Sequence, residues 1–268
     1  MFDEESGVTD QLRSNEKVAK EYRETLQHEG SLVAVKLLKK SEIETIGQVK
    51  HPRPGNTFCQ LIGQTHYWGR MHLIEPDDQA CYAPPSIFGM RELPKEAWKR
   101  YVGWQVKTEE AGQKIFETMP SFPKGMYDAI FLSPLERCPV SPDVVIFFGN
   151  ASQMLCIIAG YLADRGGSLK AEFCGMFSCG SLIVTPIQKG YPNIVVPGNP
   201  LRLLAVPDKE LGCGIPGNIL GALVENMKFL KARGGSQYPP AWPAVQMPAP
   251  PPISELLKPD GVPTWLKK

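Results

Sequence analysis

Seven cysteines are the residues of this 268-residue chain whose chemistry is most informative. The opening residues, MFDEESGVTD, lack the basic start and apolar stretch of a secretory signal, so we expect a cytoplasmic protein with reduced thiols. Because seven is odd, at least one thiol would stay unpaired even under oxidation. Core packing, metal ligation and catalysis are therefore the roles to compare.

Three of the cysteines lie in or beside turns rich in Gly, Pro or Ser: Cys59, Cys81 and Cys179. Loops at strand ends are where α/β folds build their sites, so these three are candidates for one shared metal centre. Thiolates favour an iron–sulfur cluster or zinc over magnesium or calcium. Since the chain has no Cys-x-x-Cys pair, buried or redox-active thiols stay open as an alternative.

The other four cysteines divide into two groups. Cys174 and Cys213 are candidates for a fourth ligand, and the glycines beside Cys213 would let a cofactor approach the backbone closely. Cys156 falls inside a predicted helix and Cys138 stands directly before a proline. Neither has a partner motif nearby, so we predict that both belong to the core.

Two residues are candidates for moving protons. His66 follows Cys59 closely and is the best general acid or base among the four histidines, although a lone histidine is more often structural. Lys36 stands in an apolar stretch, where burial would lower the pKa of its ammonium group. The alternative for Lys36 is that its side chain points outward at a strand edge.

Two Gly-Asn turns are candidates for holding the charged end of a substrate. Gly149 and Asn150 join a predicted strand to a helix, whose N–H groups and dipole attract anions. Asn150 could equally be only the helix cap, with Gln153 at the capping-box position. Gly198 and Asn199 form a second such turn, and Arg202 nearby could clamp a carboxylate or phosphate. The chain has no dinucleotide-binding glycine motif, no P-loop and no G-x-S-x-G elbow.

Alternating strand and helix signals predict an α/β fold with a mixed, partly parallel sheet and flanking helices. The predicted strands are 31–38, 70–74, 127–135, 144–148, 169–173 and 193–196, with residues 181–188 left ambiguous. The predicted helices are 9–28, 60–67, 95–101, 109–118, 151–163 and 219–231. The series has no clear internal linker, so residues 1–232 are expected to form one domain. The alternative is a two-lobed protein, because the prolines at 120 and 123 interrupt the chain.

Residues 233–268 differ from the rest because they are rich in proline and cannot form a packed element alone. One interpretation of this C-terminal arm is a solvated tail. The other depends on Trp242 and Trp265, which would let the arm dock on its own or a neighbouring subunit and so support a homo-oligomer.

The bulk composition limits the partners. With 29 basic and 28 acidic residues, the chain has no excess charge for a nucleic-acid surface. It also has no run of about 18 apolar residues that would predict a membrane span. The expected partner is a small-molecule substrate, without nucleic acid or membrane.

Several segments together resemble the prokaryotic family called domain of unknown function 169. They are residues 32–37 (LVAVKL), the Cys59-Gln60 step, the turn from Ala80 and Cys81 into Gly89, residues 142–145 (PDVV) with the Gly149-Asn150 turn and Gln153, and Ser178-Cys179 with Pro186 and Gly190. The resemblance covers roughly residues 15–230 and implies a fold and a set of cysteines more than an activity. Tyr82 stands where the family has a proline, and Gly198 lies in the segment where it often has another cysteine.

These observations favour an enzyme whose Cys59, Cys81 and Cys179 hold a 4Fe–4S cluster with one open iron. That iron would act as a Lewis acid on a small anionic or hydroxylated substrate. Such a lyase or oxidoreductase would carry out hydration or dehydration, desulfuration, or a reduction fed by an external electron donor. The alternative is a non-catalytic binding or electron-transfer subunit with structural zinc or buried thiols.

Overall fold

A single six-stranded sheet organises the chain in the computed structural model, which describes residues 2–172, 174, 177–198, 206–236 and 238–239, with the backbone alone for residues 2–7. The strands are β1 (Val33–Leu38), β2 (His72–Ile74), β3 (Ala129–Pro134), β4 (Val144–Gly149), β5 (Asn193–Val195) and β6 (Leu211–Pro216). Their order across the sheet is β2-β3-β1-β4-β6-β5. Most of the C-terminal arm, including Trp242 and Trp265, lies outside the described residues.

Every pairing in this sheet is antiparallel, so the prediction of a partly parallel sheet was wrong. The reason lies in burial. Strands such as β3 and β4 are buried at every position because both faces of the sheet are covered. Continuous apolar strands are typical of parallel sheets, and the sequence pattern carries no information on strand direction.

Seven α-helices flank the sheet in the described part of the chain. They are α1 (Phe2–Leu26), α2 (Phe58–Trp68), α3 (Ala83–Ile87), α4 (Glu109–Thr118), α5 (Ala151–Leu162), α6 (Thr185–Lys189) and α7 (Leu220–Ala232). A π-helix, Gly180–Val184, leads directly into α6, and short 3-10 helices cover Lys40–Ile46, Ala97–Tyr101, Leu135–Arg137 and Gly217–Ile219. The predicted strand at 169–173 is not formed over its described residues 169–172. No described helix is both long and apolar enough to span a bilayer.

The two faces of the sheet bury different layers. Alternate residues of β1 separate them: Val33, Val35 and Leu37 face a core that includes α2, α3 and the π-helix. Ala34 and Leu38 face a second core that includes α1, α5 and α7. We call the first the α2 layer and the second the α5 layer.

The π-helix packs unusually close to the sheet because β6 contains glycine. A Cβ atom added at Gly214 would overlap the backbone carbonyl oxygen of Leu182, which is inside the π-helix. Asn193 Nδ2 donates to the Ser181 carbonyl oxygen over 2.8 Å and ties the same helix to β5. Since Cys179 immediately precedes the π-helix, these contacts fix its position in the α2 layer.

We predict that Gly214→Ala lowers the free energy of unfolding by about 1–3 kcal/mol, because the added methyl group must push the π-helix off the sheet. Gly221→Ala is the matched control, since nothing lies within 4 Å of a Cβ added at that exposed helical position. The control should be neutral or raise stability by less than about 1 kcal/mol. Urea unfolding of the three proteins measures both effects, and equal midpoints would refute the close-packing argument.

Candidate functional site

A cavity of about 300 Å³ in the α2 layer brings together the three loop cysteines. We call it the cysteine cavity. Its lining consists of Thr57, Phe58, Cys59, Ala80, Cys81, Tyr82, Ala83, Pro84, Tyr101, Trp104, Gln105, Phe177, Ser178 and Cys179. No described residue in this lining carries a charged side chain.

Each cysteine reaches the cavity at the beginning of a helical segment. Cys59 is the second residue of α2, whose N-cap Thr57 forms a capping box with Gln60. The Ala80 N–H donates to the Asn56 carbonyl oxygen over 2.8 Å, which holds Cys81 beside the start of α2. Cys179 stands immediately before the π-helix. Backbone N–H groups at such positions favour negative charge on a nearby sulfur atom.

Burial dominates the electrostatics of the three thiols. It raises the pKa of Cys59 to about 12, and the neighbouring Cys81 sulfur adds to that increase. Burial likewise raises the pKa of Cys81, against the opposing effect of the Ala83 N–H. The pKa of Cys179 rises well above its ordinary value through burial and then through Cys59 and Cys81. All three are therefore protonated at neutral pH unless a positive charge enters the cavity.

The spacing of the three sulfur atoms is wider than a single ion requires. Among the described residues, one set of three His, Cys, Asp or Glu side chains has ligand atoms that all lie within 4.8 Å of one another. His51, Glu75 and Asp78 form that set. The cysteine trio does not meet that limit. Tetrahedral zinc with Zn–S bonds of about 2.3 Å would need sulfur atoms roughly 4 Å apart.

Aromatic side chains form one wall of the cysteine cavity. Tyr101 packs against Phe177 with ring centroids 5.8 Å apart and against Trp104 at 6.0 Å. Tyr82 Oη is buried, and it lies close enough to the Tyr101 hydroxyl group that each phenol shifts the pKa of the other. Burial raises the pKa of Tyr82 and of Tyr101, and the Cys81 sulfur contributes at both. The two phenols are thus neutral hydrogen-bonding groups beside the thiols.

Sequence reasoning missed both tyrosines as site residues. In the sequence alone Tyr82 is a departure from the family pattern, although its place next to Cys81 is a usable signal. Tyr101 comes from the 3-10 helix Ala97–Tyr101, far from any cysteine in the sequence. Its role at the cavity depends entirely on tertiary packing.

The remaining cysteines lie elsewhere. Cys138, Cys156 and Cys213 are buried in the α5 layer, on the opposite face of the sheet. Cys213 therefore cannot supply a fourth ligand to the cysteine cavity. Cys174 packs against the α2 layer, and its N–H donates to Ser181 Oγ over 3.1 Å, but it does not line the cavity.

Neither proton-moving candidate lines the cysteine cavity. His66 is buried, and its Nδ1 donates to the Ser31 carbonyl oxygen over 2.7 Å. Burial lowers the pKa of His66, so the ring is held as a neutral group. Lys36 is half-buried, and its Nζ lies 2.8 Å from Asp143 Oδ1 in an ion pair.

The first Gly-Asn turn is a structural cap. Asn150 Oδ1 accepts hydrogen bonds from the N–H groups of Ser152 and Gln153, and the Gln153 side chain accepts one from the Asn150 N–H. These bonds confirm the predicted capping box. This helix, α5, packs in the α5 layer and does not border the cysteine cavity.

The second turn is closer to the cysteine cavity. The Gly198 N–H donates over 2.8 Å to the hydroxyl group of Ser178, a lining residue. Asn199 and Arg202, the other two residues predicted there, lie outside the described residues.

Comparison with known proteins assigns the chain to a family. The model of the family DUF169, described as uncharacterised ArCR, matches residues 22–226. The chain belongs to the DUF169 family. The DUF169 match includes all six strands and the three cysteines of the cavity. The uncharacterized protein MJ0308 of Methanocaldococcus jannaschii is 25% identical over 232 residues, which are 82% of this chain and 95% of the relative. No solved structure matches the chain.

The buried histidines predict a loss of stability in mild acid. Burial, followed by His66 and Arg23, lowers the pKa of His28 to about 3, and burial followed by Arg70 lowers the pKa of His72 to about 4. The unfolded chain binds protons below about pH 6.5 while these folded sites stay neutral. The contribution of these histidines to the free energy of unfolding should therefore be fully present above about pH 6.5. It should decrease as the pH falls toward about 4, by on the order of 1 kcal/mol per pH unit for each histidine.

Thermal unfolding at a series of pH values, with His28→Leu, tests this account. The variant should show a shallower decrease in acid than the unmodified protein. His51→Gln is the control, because His51 is exposed and Asp78 raises its pKa, so its own contribution changes in the opposite direction. An unchanged acid slope in His28→Leu would contradict the assignment.

Proposed function

We propose that Cys59, Cys81 and Cys179 ligate an iron–sulfur cluster of the 4Fe–4S type, and that the protein is an enzyme acting on a small molecule held in the cysteine cavity. The observation that supports this most strongly is the convergence of one buried and two partly buried thiols in a cavity whose described lining has no charged side chain. The donor set fits the group, since clusters prefer cysteine ligands.

Metal binding accounts for the thiols better than thiol catalysis. A nucleophilic or redox-active cysteine needs a lowered pKa, supplied by a nearby cation or a metal. Burial raises all three pKa values here, and no lysine, arginine or histidine lines the cavity among the residues that the structure describes. A metal centre would supply the missing positive charge and deprotonate the thiols outright.

The number of protein ligands favours a cluster over structural zinc. Structural zinc is almost always held by four protein ligands. No fourth cysteine or histidine lines the cavity among the described residues. When bound, a cluster with three cysteine ligands would supply one iron that acts as a Lewis acid toward a substrate hydroxyl, carboxylate or sulfur group.

The lining favours a small, hydroxylated substrate group in the cavity. Its volume of about 300 Å³ is at the lower end for ligand pockets. Thr57, Gln105 and Ser178 offer neutral polar groups, while Phe58 and Phe177 exclude water. Since the described lining offers no cation, a charged end of the substrate would lie nearer the cavity mouth. Dehydration or hydration, desulfuration, and reduction by an external electron donor all fit this arrangement.

Tyr82 is the best-placed group to orient a substrate. Its side chain lines the cysteine cavity, and a hydrogen bond with the Tyr101 hydroxyl group lowers its pKa against the larger effect of burial. The guanidinium group of Arg100 lies 4.9 Å from its ring centroid, which holds the ring from one side. Because burial raises the pKa of Tyr82, we assign it as a hydrogen-bond donor rather than a base. His66 and Lys36 are held outside the lining, so Tyr82 replaces them in this proposal.

Anaerobic purification should yield a brown protein that contains iron and acid-labile sulfide. Each of Cys59→Ala, Cys81→Ala and Cys179→Ala should lose most of that iron and the associated visible absorption, because the three sulfur atoms are the proposed ligands. Iron and sulfide analysis together with absorption spectra make the measurement.

Cys174→Ala and Cys213→Ala are the matched controls, and both should retain the cluster. Loss of iron in either would reinstate a fourth cysteine ligand. A colourless protein that contains zinc, or full iron content in all three ligand variants, would overturn the proposal.

Replacing Gly198 with cysteine tests the open iron. Gly198 is one hydrogen bond from Ser178, the residue before Cys179, so a thiol introduced there would have the opportunity to ligate the fourth iron. Mild oxidation should remove one iron per cluster from the unmodified protein and none from Gly198→Cys, as followed by electron paramagnetic resonance. Gly198→Ala should behave like the unmodified protein. Resistance of the unmodified protein to iron loss would contradict the open-iron account.

A further inference from the structure

A second pocket of about 500 Å³ lies at the opposite end of α2. We call it the basic pocket. It is lined by Lys50, His51, Pro52, Arg53, Asn56, Gln64, Trp68, Gly69, Arg70, Met71, His72 and Arg137. The segments that form it are the loop before α2, the end of α2, the start of β2 and the 3-10 helix after β3.

Four cations face this pocket without a carboxylate in its lining. They are Lys50, Arg53, Arg70 and Arg137, and none forms an ion pair with another described residue. Two acids, Asp78 and Glu75, lie beside His51 at the edge of the pocket: Asp78 Oδ2 is 2.7 Å from His51 Nδ1, and ligand atoms of all three residues lie within 4.8 Å of one another. Because like charges repel, four unpaired cations around one concavity favour a polyanionic ligand.

Two of the arginines are held in place by neutral groups. Arg70 Nη1 donates to Gln64 Oε1 over 3.2 Å, and Arg137 Nη1 donates to the Gly69 carbonyl oxygen over 2.9 Å. Each guanidinium group keeps further N–H donors for a ligand, in the fork geometry that suits phosphate and carboxylate oxygens.

A buried histidine borders the basic pocket. His72 is 6% exposed, and its Nε2 is sealed from solvent without a hydrogen-bond partner in the described structure. Burial, followed by Arg70, lowers the pKa of His72 to about 4, so the ring is neutral. Recognition of a polyanion at this pocket therefore depends on the four cations rather than on His72.

An exposed tryptophan adds a flat apolar surface to the same pocket. Trp68 is 67% exposed, far above what is usual for its size, and the Arg70 guanidinium group lies 5.0 Å from its ring centroid. A planar ring could stack on Trp68 while anionic groups of the same molecule contact the arginines.

We propose that the basic pocket binds a nucleoside polyphosphate, with its base on Trp68 and its phosphates on Arg53, Arg70 and Arg137. The pocket volume fits one such molecule. A nucleic-acid strand is disfavoured because the chain as a whole is nearly neutral, with a net charge of +1. This site does not depend on a metal in the cysteine cavity.

Isothermal titration calorimetry of the full chain tests the proposal, with ADP, ATP, inorganic pyrophosphate and adenosine as separate ligands. ADP and ATP should bind saturably at one site per chain, pyrophosphate more weakly, and adenosine not measurably. Arg53→Gln and Arg70→Gln should each weaken ADP binding roughly tenfold or more, since each removes charge-assisted hydrogen bonds. Trp68→Ala should weaken ADP but not pyrophosphate.

Arg13→Gln is the matched control, because Arg13 is an exposed arginine on α1 outside the pocket, and it should bind ADP unchanged. All variants alter exposed side chains, so unchanged thermal unfolding would verify that they fold. No saturable binding of ADP or ATP would overturn the proposal, as would ADP binding unaffected by Arg53→Gln and Arg70→Gln. Tighter binding of a single-stranded oligonucleotide than of ADP at these residues would overturn it in favour of nucleic acid.

Discussion

The cost of placing negative charge in an uncharged cavity is the constraint on which the site depends. Cys59, Cys81 and Cys179 are protonated when alone, because burial disfavours the thiolate and no described lining residue offers a compensating cation. The proposed metal centre would reverse this balance, because it would supply positive charge beside the three sulfur atoms. Cys213 differs from these three cysteines. Burial also raises the pKa of Cys213, but its side chain faces packed core on the other side of the sheet.

The fold places the three sulfur atoms by close packing of irregular segments on a regular sheet. Gly214 lets the π-helix approach β6, and that approach fixes Cys179. The capping box of α2 fixes Cys59, and the bond from Ala80 to Asn56 fixes the neighbouring loop. Because α2 begins at the cysteine cavity and ends at the basic pocket, one helix positions residues of both.

Features that depend on local sequence were predictable, and features that depend on tertiary packing were not. The helix at 109–118 and the Asn150–Gln153 capping box follow from short-range signals, and both predictions are confirmed. The prediction of strand direction was wrong because strands buried on both faces give the same apolar runs in either orientation. The family assignment was confirmed. Tyr101 and the basic pocket could not be predicted, because the segments that meet there are too distant in sequence for any local pattern to connect them.

X-ray absorption at the iron edge of anaerobically purified protein tests the central claim most directly, because it reports the atoms around the metal without requiring a known substrate. The account predicts iron surrounded mainly by sulfur, with a second shell of iron neighbours that disappears in Cys59→Ala. Iron bound only by oxygen or nitrogen, or a sulfur shell without iron neighbours, would contradict a cluster held by Cys59, Cys81 and Cys179.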